Sequence, residues 1–160
     1  MMRKQNDSGQ ALVEIAISLF VFLLVAMGVI DFATMFNRKV TLQNAVRQAG
    51  RYAITGQCIA GANGTCSLNR YNSIISTLEA SSAGLLNSSN VGTDVTITCI
   101  VDGGGGCPNP AGGPQDVVTI QVAYPYNFMT PLIAPFFKNK PLTLNVSSTF
   151  TNQPFPPGQS

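Results

Sequence analysis

The residues best able to do chemistry in this chain are four cysteines, set in two pairs with the same spacing. Cys58 and Cys66 bracket IAGANGT, and Cys99 and Cys107 bracket IVDGGGG. Zinc favours closer Cys-x-x-Cys spacing and often histidine, and the 160 residues contain no His. Exported compartments oxidise thiols, and short glycine-containing loops close easily. Of the three possible connectivities, these facts favour disulfides 58–66 and 99–107. Neither a metal nor a cofactor is expected.

Catalytic arrangements fare poorly. Without histidine, the commonest general base is missing. Asp94, Asp102 and Asp116 fall in or beside turns, where aspartate commonly serves local hydrogen bonding. Gly103 to Gly106 lack the lysine and following helix of a phosphate-binding loop. No carboxylate pair suggests the cleft of a glycosidase. Three glycan sequons, at Asn63, Asn87 and Asn145, are three-letter matches of a kind that recurs by chance. The chain is not expected to be an enzyme. With a net charge of +2, and no basic run beyond Arg3-Lys4 and Arg38-Lys39, nucleic acid is not an expected partner either.

The elements around these residues begin with a greasy segment. Charged residues make up only 10% of the chain, against about a quarter in an ordinary soluble domain. Residues 15–30 read IAISLFVFLLVAMGVI, with no charge and only Ser18 polar. As a helix rising about 1.5 Å per residue, residues 11–30 would span roughly 30 Å, the thickness of a bilayer core. Arg3 and Lys4 precede this run and favour a cytoplasmic N-terminus with the remainder exported. An ordinary signal peptide fits badly, because no small-x-small cleavage site ends the run.

Instead, the run continues into a second helical pattern. Val40, Leu42, Ala45, Val46, Ala49, Tyr52 and Ala53 recur at helical spacings, with Arg47 and Arg51 on the opposite side. One helix is therefore expected over residues 10–55, apolar all round in its first half and amphipathic in its second. Residues 69–86 could form another helix, with Tyr71, Ile74, Ile75, Leu78 and Leu85 on one stripe. Alternating strands are expected over 91–101, 117–126 and 142–150. The fold class is α+β: a long N-terminal helix packed on a small antiparallel sheet. Between the last two strands, the apolar stretch 126–137 is broken by Pro131 and Pro135. It reads as a core-plugging connection, with Phe136 and Phe137 as candidate subunit contacts if exposed.

Glu14 stands out within the apolar helix, since a carboxylate there costs a few kcal/mol. It ends the run Gly9-Gln10-Ala11-Leu12-Val13-Glu14, which follows a short basic leader. That arrangement resembles the type IV prepilin peptidase site. The resemblance implies cleavage between Gly9 and Gln10, with Glu14 as the fifth residue of the mature chain. It also implies that Glu14 pairs with the new amino terminus of a neighbouring subunit; a buried carboxylate is tolerable when a cation faces it.

Residues 9–55 narrow the likeness. Ala11-Leu12-Val13-Glu14, the acidic Asp31 ending the apolar run, and the stretch from Leu42-Gln43-Asn44-Ala45 to Ala49-Gly50-Arg51-Tyr52 resemble the TadE-like family. These are pilin-like proteins of Tad/Flp tight-adherence pilus systems. Gly50 departs from the family's usual alanine, and the cysteine pairs are not part of the family pattern. The two C-terminal strands resemble the family loosely.

The resemblance implies a pilin-like organisation. Residues 1–9 would be a cleaved leader and 10–36 the transmembrane half of the helix. Residues 37–56 would be its amphipathic half, 57–153 a periplasmic disulfide-containing head and 154–160 a flexible tail. The expected function is that of a minor pilin or pseudopilin in pilus assembly, adhesion or surface attachment. A head of about a hundred residues is larger than Tad-type major pilins carry. Expected partners are the inner membrane, a prepilin peptidase, other pilin-like subunits and the Tad assembly machinery. The expected location is the bacterial inner membrane, single-pass with a periplasmic head, with incorporation into an extracellular pilus. The alternative is an uncleaved single-pass membrane-anchored periplasmic binding module.

Overall fold

A computed structural model of the chain describes residues 7–59, 69–101, 103–130 and 141–155. Among the described residues there are six elements: helices α1 (Asp7–Ile54), α2 (Arg70–Ser81) and α3 (Val91–Asp94), then strands β1 (Val95–Ile100), β2 (Val117–Tyr126) and β3 (Leu142–Thr151). The class is α+β, with a long N-terminal helix and a three-stranded antiparallel sheet. The described residues form two compact units. One comprises α1 up to Phe36 with residues 127–130 and 141; the other comprises residues from Asn37 to Tyr126 and from Leu142 onward.

Helix α1 runs 48 residues without proline. Gly56 ends the run: it adopts φ +67°, and its N–H donates to the Ala53 carbonyl at 3.2 Å. Arg51 lies in the last turn, where a cation complements the helix dipole. The expected amphipathic pattern is present in the second half. Leu42, Ala45, Val46, Ala49 and Ala53 are buried, whereas Arg47 and Arg51 are exposed.

Helix α2 is shorter than the apolar stripe predicts. The Asn69 side chain starts it by accepting from Asn72 N at 2.8 Å. It stops at Ser81 because Ala83 and Gly84 take left-handed conformations at φ +53° and +80°. Strand β1 starts four residues later than expected, after the single turn of α3, which the Asn90 carbonyl closes through Asp94 N at 2.9 Å.

The sheet order is β1-β2-β3, with both pairs antiparallel. Strict alternation puts Val118, Ile120 and Val122 of β2 inside, beside Val95 and Ile97 of β1 and Leu144 and Val146 of β3. Pro125 lies in the central strand, which proline normally avoids for want of an N–H. It is tolerated because β1 pairs no further than Val95↔Val122, leaving Pro125 opposite Thr143 of β3 alone. The core joins this sheet face to the second half of α1, with Ile74, Leu78, Leu86 and Ala111 filling between.

Candidate processing and assembly site

The first turns of α1 carry the three residues whose spacing suggests processing. The Gly9–Gln10 bond lies in the first turn, and Gly9, Gln10 and Glu14 are all exposed. Gly9 would present no neighbour to an added Cβ within 4 Å. Glycine is among the weakest helix formers, about 1 kcal/mol below alanine, so local opening of this bond is cheap. Gln10 and Glu14 are four residues apart and share one helix face. Glu14 has no hydrogen-bonding or ionic partner among the described residues.

Around and beyond Glu14 the helix is apolar and bare. Leu12 is 68%, Phe22 66% and Phe32 65% exposed. A surface this greasy requires lipid or neighbouring chains to cover it. Among the described residues, α1 is the one helix long and apolar enough to cross a membrane.

Of the cysteines, Cys99 and Cys107 form a disulfide across a Cα–Cα distance of 5.4 Å. The loop it closes is built by Gly103 and Gly104 at φ +112° and +95°. Val101 N donates to Gly105 O at 2.8 Å within it. Cys58 is also disulfide-bonded, and Cys66, its expected partner, lies outside the described residues. One Asp116 carboxyl oxygen accepts from Gly113 N at 2.6 Å and lies 3.9 and 3.5 Å from the sulfurs of Cys99 and Cys107. Sulfurs bonded to each other are not thiolates, so this trio lacks the ligand chemistry of a zinc site.

Among the described residues, two charged side chains are buried without any sign of it in the sequence. Arg70 is 1% exposed and donates to the carbonyls of Gly112 and, at 2.6 Å, Ala53. The Phe155 ring lies 4.4 Å from its guanidinium carbon. Burial lowers the Arg70 pKa, and nearby Asp116 partly opposes that shift. Arg70 thereby joins the end of α1 to the loop before β2. Arginine at the start of a polar helix reads as surface, so the sequence carries no signal for this role.

Asp31 is the second, also 1% exposed. Its carboxyl oxygens accept from Met129 N at 3.0 Å, Thr130 N at 3.3 Å and the Thr130 hydroxyl. The sequence marks Asp31 only as the charge that ends the apolar run. Seven residues on, Arg38 donates to the Tyr124 hydroxyl at 3.4 Å and lies 5.3 Å from the centre of the Tyr126 ring.

The family model described as TadE-like protein matches residues 9–51. No curated protein matches the chain, and no solved structure does. The matched stretch begins at the glycine of the candidate processing site and runs through the apolar half of α1 into the half that carries the core. Over these residues, the chain is similar to the TadE-like family.

Proposed function

We propose that this protein is a minor pilin or pseudopilin of a Tad-type pilus, cut between Gly9 and Gln10 by a prepilin peptidase. The TadE-like match associates the chain with Tad pili. The observation that carries the finer reading is the bare apolar helix that follows Gly9, with Glu14 exposed and unpaired among the described residues.

A chain held by this helix starts in the inner membrane, with its head in the periplasm. Cleavage leaves a positive amine at Gln10, one turn from Glu14 on the same face. Between packed subunits, the carboxylate of one chain meets the amine of another, which offsets the cost of burying either charge. Apolar flanks that lipid covers before assembly are covered by neighbouring helices afterwards. The work of the protein is structural, in assembly or surface attachment.

The test is the composition of pili sheared from the native host. The mature chain in that fraction, absent when the prepilin peptidase is deleted, is the expected result. A chain confined to the membrane in both strains contradicts it and favours an anchored periplasmic binding module.

A further inference from the structure

We propose that the loop around Met129 is a second membrane-contacting element, shallowly seated at the outer boundary of the bilayer core and held at that depth by Asp31. The inference rests on reading α1 as the membrane anchor.

Three observations carry it. Apart from α1, Ile100 and Met129 are the large apolar side chains exposed among the described residues, and Met129 is 66% exposed. The backbone of that same residue donates to Asp31, so its position along the helix is fixed. From Gln10 to Asp31 the helix rises about 32 Å, close to the roughly 30 Å of a bilayer core. Asp31 therefore falls where hydrocarbon gives way to headgroups.

Lipid is the occupant that the surrounding chemistry fits. The exposed Met129 is continuous with a unit whose helix is already apolar on all sides. Residues 117–130, which lead into this loop, carry no charge. A polar loop backbone at this depth needs internal partners. Asp31 supplies them, accepting from both amides and the Thr130 hydroxyl. An aspartate at the end of a membrane helix thus satisfies the backbone of an apolar loop that would otherwise stay in water.

The sequence contains no tryptophan, so single-tryptophan variants of the full chain report unambiguously. Phe20→Trp, Met129→Trp and Thr149→Trp are reconstituted in phosphatidylcholine–phosphatidylglycerol vesicles whose acyl chains carry bromine at defined carbons. Position 20 lies near mid-bilayer, about 15 Å along the helix from Gln10. The expected result is loss of emission at position 20 with deep bromines, loss at position 129 with shallow bromines, and none at position 149. Adding Asp31→Ala to Met129→Trp abolishes the shallow quenching. If position 20 is quenched and position 129 is not, the anchor stands and the loop proposal falls. Blue-shifted emission at 129 without bromine quenching signals contact with a second protein copy, and also overturns it. No quenching at position 20 removes the anchor reading and the proposal together.

Discussion

The ring of Phe150, on β3, lies over the backbone of Gly50 in α1, so a Cβ at position 50 would stand inside the ring. By propensity alone, alanine in this helix would be better by about 1 kcal/mol. Glycine is instead the residue that lets the edge strand close on the helix.

Gly50→Ala is therefore expected to destabilise the head by about 1–3 kcal/mol, the usual cost of overpacking. In a Phe150→Ala background the sign reverses, because only the helix preference remains. Urea unfolding of the two single variants and the double variant checks this. Additive effects would show that the ring moves aside at no cost.

Arg70→Met leaves the carbonyls of Ala53 and Gly112 without their buried donor. A loss of about 3 kcal/mol follows from breaking two hydrogen bonds made by a charged group. Arg70→Lys, with one compact ammonium in place of a fork, should fall between wild type and Met. A Met variant as stable as wild type would mean that Arg70 is not what joins the end of α1 to this loop.

Removing the Cys99–Cys107 disulfide by paired serine substitution should cost about 2.5 kcal/mol, from the entropy of a loop this short. The midpoint of urea unfolding would move down accordingly, and proteolysis should first appear between residues 101 and 106. An unchanged midpoint would mean that the loop is held by its backbone hydrogen bonds alone.

These sites show where sequence is informative. The alternation of β2 and the stripe from Leu42 to Ala53 are legible because burial imposes a period on adjacent residues. The end of α2 is less so: the apolar stripe runs on to Leu85, while left-handed Ala83 and Gly84 break the backbone. Asp31 with Thr130, and Gly50 with Phe150, join residues about a hundred positions apart. Such pairs leave no local periodicity. The Gly9–Glu14 signature is different again: under the proposed processing, its spacing answers to an intermolecular partner and not to packing within the chain.

Asp31→Ala should expose the 129–130 backbone. Hydrogen exchange at the amides of Met129 and Thr130 is expected to rise, while amides of β2 such as Ile120 keep their protection. Unchanged exchange at both loop amides would show that Asp31 does not hold the loop.

Glu14→Gln keeps the side chain's shape but removes the charge proposed to meet a neighbour's amine. Processing at Gly9 should continue while recovery in sheared pili falls by an order of magnitude, as expected if about 1.4 kcal/mol or more of subunit affinity is lost. Recovery equal to wild type would exclude charge pairing as the role of Glu14.

The central claim is that this chain is processed as a pilin. It is tested most directly by the intact mass and N-terminal sequence of the membrane-extracted protein, from native cells with and without the prepilin peptidase. The account predicts a chain beginning at Gln10 that reverts to the full-length form when the peptidase is lost or when Gly9→Val blocks the site. A chain that begins at Met1 in wild-type cells would contradict it.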